Sequence, residues 1–276
     1  MNLPLFSPTD SPGSNFSELL KRLGVSPDDK VRGEVDKTQN PGIERQSTAV
    51  PHGTTILAIR YADGVTMAAD RRATMGHAIS SRDIEKVHPA DRHSGISISG
   101  TAGFGMEMIR IFQLNLEHYE KVEGKPLSME GKANQLSGMI RGNFGMAMQG
   151  LAVIPLFAGF DLNRNLGRIF SYDITGGLHE ETDFDATGSG GRDARTTIKL
   201  GYKREMGQDE TVELAVEALY EAADEDSATG GPDVVRGIYP LVVTITANGY
   251  QRVPDTEVAV RFDALIARKT EQGHHP

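Results

Sequence analysis

From Thr54 onward, apolar segments of two periodicities alternate in an order that few folds accommodate. "TTILAIRY" and "VTMAADRRAT" flank Ala62-Asp63-Gly64 and read as a β-hairpin, since β-branched and apolar runs meet a turn closed by glycine. "HAISSRDIEKVH" and "GISISGTA" read as further strands, followed by two long helical patterns at about residues 103–122 and 128–150. Strands are then predicted at "VIPLFAGFD", "GRIFSYDI" and "FDATGSG", and helices at "RDARTTIKLGY" and "DETVELAVEALYEAADED". A strand at "PLVVTITANG" and a helix at "DTEVAVRFDALIARK" complete the order. Runs of strands broken by pairs of helices argue against a βαβ series with single crossover helices. They predict an α+β fold in which antiparallel sheets are covered by helix layers.

Residues 1–53 are of another kind. Pro4, Pro8, Pro12, Pro27, Pro41 and Pro51 punctuate a stretch rich in Asp, Ser, Asn and Gly. Too little apolar surface is available there to offset the entropy of ordering, so the segment is expected to be mostly extended or disordered. The exception is "SNFSELLKRLG", where Phe16, Leu19, Leu20 and Leu23 share one helical face and Gly24 supplies a stop.

Several function classes are disfavoured by composition. A net charge of −9, with basic residues scattered among acids, does not make the clustered basic surface that nucleic acid requires. The longest apolar run, "LAVIPLFAGF", is about half the ~20 residues of a membrane span and contains Pro155. The N-terminus has no basic region leading into an apolar block, so no secretory signal is expected, and the absence of cysteine excludes disulfides and thiolate metal sites. A cytoplasmic location fits these features. "TGSGG" precedes a helix but lacks the Lys-Ser/Thr of a phosphate loop, and His52, His77, His88 and His93 lack metal-ligand spacing, so neither cofactor nor metal is expected.

The junction "VPHGTTILAIRY" carries the chemical argument. A threonine heading a strand is ordinarily explained by β-propensity. Thr54, however, follows a proline-rich segment that ends in glycine. A threonine hydroxyl needs a base, and its own α-amine, with a reference pKa of about 7.7–8.0, can serve once the preceding peptide bond is cut. A dispensable segment 1–53 ending at Gly53 is what this chemistry requires, because glycine lets the Thr54 hydroxyl approach its carbonyl closely. The division expected is a propeptide over 1–53, removed by autocatalytic cleavage between Gly53 and Thr54, and a mature catalytic domain over 54–276.

The blocks "GTTILAIRYADGVTMAADRRAT", "ISSRDIEKV", "SISGTAG", "ATGSGG" and "EALYEAADEDSATGGPDVVRGIYP" together resemble a proteasome β subunit, most closely the actinobacterial 20S type. The resemblance runs from about residue 53 to about residue 265. It implies the four-layer αββα sandwich of the N-terminal-nucleophile hydrolases, two antiparallel sheets between helix layers, and a threonine endopeptidase. Residue by residue, it implies Thr54 as nucleophile, Asp70 and Lys86 as its supporting pair, and Gly100 as the source of an oxyanion-binding N–H. Ser189, Asp226 and Thr229 match the residues that steady the threonine amine, although the family commonly has serine where this chain has Thr229. Ala73, Ile84, Ile98, Ala102 and Met106 match the pocket for the side chain preceding the scissile bond. Being small or apolar, they imply a preference for hydrophobic residues, and Thr74 matches a residue that binds the substrate backbone.

The resemblance also implies stacked seven-membered rings of this chain between rings of proteasome α subunits. An ATP-dependent unfoldase and substrates tagged by a ubiquitin-like protein would be indirect partners. A non-catalytic scaffold subunit would keep the fold and lack the nucleophile. A small-metabolite amidase would share the nucleophile without the later blocks.

Overall fold

The computed structural model describes residues 53–75 and 78–273. In chain order the first strands are β1 (Thr55–Tyr61), β2 (Gly64–Ala69), β3 (Ala73–Met75), β4 (Ala78–Ser81), β5 (Val87–Asp91) and β6 (Ser94–Gly100). Helices α1 (Ala102–Glu123), α2 (Met129–Gly142) and the short α3 (Phe144–Ala147) follow, then β7 (Val153–Asp161), β8 (Leu166–Tyr172), β9 (Leu178–Glu181) and β10 (Phe184–Gly188). The rest is α4 (Gly191–Gly201), α5 (Gln208–Glu225), β11 (Leu241–Thr246), β12 (Gly249–Arg252) and α6 (Asp255–Glu271). One five-stranded sheet has the order β10-β1-β2-β11-β12, the other β5-β6-β7-β8-β9, and every pairing within them is antiparallel. The α+β architecture is that expected from the sequence.

Three apolar layers explain the strand sequences. Ile56 and Ala58 of β1, with Val65, Met67, Val243 and Ile245, face Leu156, Ala158 and Ile169 of the second sheet. The alternate residues Leu57 and Ile59 point the other way, onto Leu219 of α5 and Phe262 of α6. On the far side of the second sheet, Ile96, Phe157 and Phe170 pack beneath Phe112 of α1 and Leu136 of α2. Phe157 meets Phe112 edge-on at 5.8 Å and stacks on Phe170 at 5.9 Å. Because the central strands are buried on both faces, they read as continuous apolar runs rather than as alternating ones.

Three kinds of local difference from the sequence expectation have physical causes. The second helical pattern stops at Gly142, where Asn143 turns its side chain back to donate to the Met139 carbonyl at 2.8 Å, and glycines 142, 145 and 150 weaken any continuation. "VTMAADRRAT" forms two strands instead of one, because Asp70 leaves the ladder to collect backbone N–H groups. The edge strands β9 ("LHEE") and β12 ("GYQR") are short and polar, having solvent where a central strand has a core. The helix expected around residues 16–23 and all of the predicted segment 1–53 except Gly53 lie outside the described residues, as do His52 and His77. Among the described residues no helix is long and apolar enough to cross a membrane.

Candidate active site

Register brings the singled-out residues to one end of the first sheet. Thr55 pairs with Gly188 and Ile56 with Ala69, so Thr54 before β1, Asp70 after β2 and Ser189 after β10 are neighbours. Backbone bonds fix the arrangement, with Asp70 N–H donating to the Thr55 carbonyl at 3.1 Å and Ser189 N–H to the Thr54 carbonyl at 2.9 Å. Thr54 is buried at 6% exposure, and its hydroxyl lies 2.7 Å from the Gly53 carbonyl oxygen, to which it donates.

Asp70 is wholly buried and fully occupied. Its Oδ1 accepts from Lys86 Nζ at 2.6 Å and from Thr55 N–H at 2.8 Å, and its Oδ2 accepts from the N–H groups of Arg72 and Gly230, both at 2.9 Å. Such a set of donors satisfies both carboxylate oxygens away from water. Burial, the largest influence, holds the pKa of Lys86 below the usual lysine range, and the charge and hydrogen bond of Asp70 offset it only in part.

On the other side of Thr54 runs a chain of hydroxyls. Thr54 N–H donates to Ser189 Oγ at 3.3 Å, and Ser189 Oγ donates to Asp226 Oδ2. Thr229 Oγ1 also donates to Asp226 Oδ2, at 2.6 Å, and lies 2.7 Å from Thr55 Oγ1, which in turn accepts from Gly190 N–H at 3.0 Å. With the Thr229 proton committed to the carboxylate, Thr55 must be the donor between the two threonines. Partial burial works to raise the Asp226 carboxyl, but the bonds from Ser189 and Thr229 outweigh it and hold the carboxyl below its usual range. Asp226 and Thr229 thus reach Thr54 only through Ser189 and Thr55. A peptide nitrogen has one N–H to give, whereas a freed α-amine would have up to three.

Thr54 and Lys86 share a cavity with all six residues matched to substrate binding: Ala73, Thr74, Ile84, Ile98, Ala102 and Met106. β6 supplies Ile98 and Gly100, and the first turns of α1 supply Ala102 and Met106. Gly100 lines the same cavity with φ at +114°, where a side chain would also strike the Ala152 carbonyl, so the position requires glycine. No acidic residue occupies the first turn of α1, leaving the positive end of its dipole uncompensated beside Gly100.

Charged residues also stand beside these small and apolar positions. Glu85 and Arg72 line the cavity as well. Glu85 is half exposed and paired with Arg252 at 2.6 Å, so its carboxylate is neutralised at the rim. Sequence reasoning also missed Thr55, Gly190 and Gly230, whose roles are made by contacts distant in sequence. The doubled threonine of "GTT" was the one local signal available.

Two facing antiparallel sheets between helix layers, with a buried threonine heading an inner strand beside a lysine–aspartate pair, define an N-terminal-nucleophile hydrolase sandwich. The family model described as proteasome subunit matches residues 50–236. A protein named proteasome subunit beta from Acidimicrobium ferrooxidans is 53% identical over 97% of this chain and 95% of its own length. Relatives of the same name from Stackebrandtia nassauensis and Streptomyces griseus are 57% and 55% identical over about four fifths of each chain. The chain belongs to the proteasome subunit family, and among its members it is similar to β subunits of actinobacteria.

Proposed function

We propose that this chain is a threonine endopeptidase, the catalytic β subunit of a 20S core particle, made as a precursor that cuts itself between Gly53 and Thr54. The observation that carries the reading is the Thr54 hydroxyl, buried 2.7 Å from the Gly53 carbonyl oxygen in a cavity shared with the Asp70-bound Lys86. In the precursor, Thr54 Oγ attacks the Gly53 carbonyl carbon, and the bond to Thr54 N breaks as that nitrogen takes up a proton. The resulting ester is hydrolysed by water, which releases 1–53 with a carboxylate end and returns the hydroxyl. The amine, steadied by Ser189 and Asp226, then takes the hydroxyl proton, through a water, as Thr54 attacks a substrate carbonyl. It returns the proton to the departing peptide nitrogen, and water hydrolyses the acyl-enzyme.

Charge appears on the carbonyl oxygen in both reactions. The Gly100 N–H at the end of β6 and the Lys86 ammonium are the donors suited to it. Thr55 and Thr229 hold Asp226 in place, and threonine at 229 keeps the hydroxyl that this bond needs. A covalent inhibitor directed at N-terminal threonine tests the reading: one adduct per chain on a peptide beginning at Thr54 is expected, and unmodified, inhibitor-resistant peptidase would refute it.

Gly53 has its own requirement. A side chain there would collide with Ala228, both its methyl and its backbone. Gly53→Val is therefore expected to slow processing at least about 10-fold, since displacing the reacting carbonyl by a fraction of an ångström removes its alignment. A time course of precursor conversion by gel or mass measures it, and conversion at the wild-type rate would contradict the geometry.

Ile98, Ala102 and Met106 favour a hydrophobic residue before the scissile bond. Peptides with Leu or Phe there are expected to show kcat/KM at least about 10-fold above those with Asp, because a buried unpaired carboxylate costs several kcal/mol. Equal rates would refute the preference. By family, the mature chain would work in the cytoplasm within stacked rings with α subunits, fed by an ATP-dependent unfoldase with substrates tagged by a ubiquitin-like protein.

A further inference from the structure

A second pocket adjoins the first and has no part in the chemistry described. Arg71, Arg72 and Arg82 line it, together with Gly230, Gly231 and Asp233. Arg72 lines both pockets. The three arginines are not equivalent. Arg71 is buried and consumed by Asp83 and Asp255. Arg72 donates to the backbone carbonyls of Ser227 and Thr229, which orient it without neutralising it. Arg82 is exposed, and Asp233, the nearby acid, is bonded to Arg236 at 2.6 Å and interacts with Arg82 through charge alone, without a direct ion pair. Among the described residues no carboxylate forms an ion pair with Arg72 or Arg82. The pocket therefore carries net positive charge, in a chain whose overall charge is −9.

Its position relative to the reaction follows from the site. The first pocket holds Gly53 and so lies on the acyl side of the scissile bond. The leaving nitrogen must come within hydrogen-bond reach of the Thr54 nitrogen that returns its proton. That nitrogen is held by Ser189, which is bound to Asp226. The loop that starts at Asp226 thus spans the reacting bond: its Ala228 abuts Gly53, and its glycine end, Gly230 and Gly231, lies past that contact and forms the second pocket. Gly230 keeps the floor open, because a side chain there would press on Arg72.

We infer that this arginine pocket is a subsite for acidic side chains just beyond the scissile bond, with Arg82 as the residue that sets the preference. The inference rests on the peptidase reading above. It adds to a hydrophobic acyl-side pocket an anionic leaving-side one, so that bonds between a hydrophobic residue and an acidic stretch are cut fastest. Carboxylates of Asp or Glu would meet Arg72 and Arg82, whereas Lys or Arg would be repelled.

Assembled, processed particles should be assayed with internally quenched peptides that share one hydrophobic acyl-side sequence and carry Glu, Gln or Lys at both of the first two leaving-side positions. Wild type is expected to give kcat/KM about three- to fivefold higher for Glu than for Lys, the scale of a partly exposed ion pair. Arg82→Gln should shrink the difference, leaving the share due to Arg72, and Arg82→Glu should remove or reverse it. An aryl-amide substrate, which has no residue on the leaving side, should be hydrolysed equally by all three proteins. No Glu–Lys difference in wild type, or one unchanged in Arg82→Glu, would overturn the subsite. Failure of wild type to cut the aryl amide would overturn the peptidase reading, and the subsite with it.

Discussion

Particles assembled from a Thr54→Ala chain are expected to hydrolyse no peptide and to retain residues 1–53 on every subunit. The substitution removes a single hydroxyl, but that oxygen is the attacking atom in both proposed reactions. The amine that would activate it toward substrates also stays locked in a peptide bond. Neither loss has a local substitute. Thr55, the next residue, is the nearest other hydroxyl in sequence, and its proton is committed to Thr229 while its oxygen accepts from Gly190 N–H. Thr54→Ser should restore both processing and peptidase activity in part, because it keeps the oxygen and loses only a buried methyl. Intact mass and a fluorogenic peptide assay on the two variants separate the outcomes. Normal processing of Thr54→Ala would show that another protease cuts the junction.

The second large effect divides the ion pair. Lys86→Met and Asp70→Asn remove opposite ends of the same 2.6 Å contact, and they should differ sharply. Without Lys86, Asp70 still accepts from the N–H groups of Thr55, Arg72 and Gly230, so the carboxylate stays satisfied and the fold persists. Catalysis should nevertheless fall about 10²–10³-fold, the scale of losing one charge-stabilising donor. Asp70→Asn strands a buried lysine and puts an amide hydrogen where a backbone donor points. It should cost about 3–5 kcal/mol of stability in addition to activity. Thermal unfolding of the unassembled chain, together with kcat/KM of assembled particles, measures both quantities. A Lys86→Met chain as unstable as Asp70→Asn would contradict this division of roles.

The fold was legible wherever burial was strong. β1, β7 and β11 bury both faces and appear as unbroken apolar runs, while α1, α5 and α6 appear through one apolar stripe. Edge and turn elements were not legible. β9 and β12 have one flank in solvent, and β3 was hidden because Asp70 ends β2 through contacts to Thr55 and to Gly230, far away in sequence. The candidate site divides along the same line. Thr54 could be singled out from its own surroundings, since a threonine following a glycine after a proline-rich segment suggests a chemical reason. Lys86 and Asp226 carry no such local mark, and they were identified through block resemblance. The charges of Glu85 and Arg72 at the pocket wall, and the hydroxyl chain through Thr55, depend on which loops meet in space. Neither periodicity nor spacing encodes that directly.

The self-processing account is tested most directly by the intact mass of the wild-type chain in assembled particles, taken from the same sample whose peptidase activity is measured. The account predicts a chain that begins at Thr54, with activity appearing in step with the loss of residues 1–53. Active particles whose subunits still carry residues 1–53 would contradict it, because the hydroxyl would then be working without the amine on which the mechanism depends.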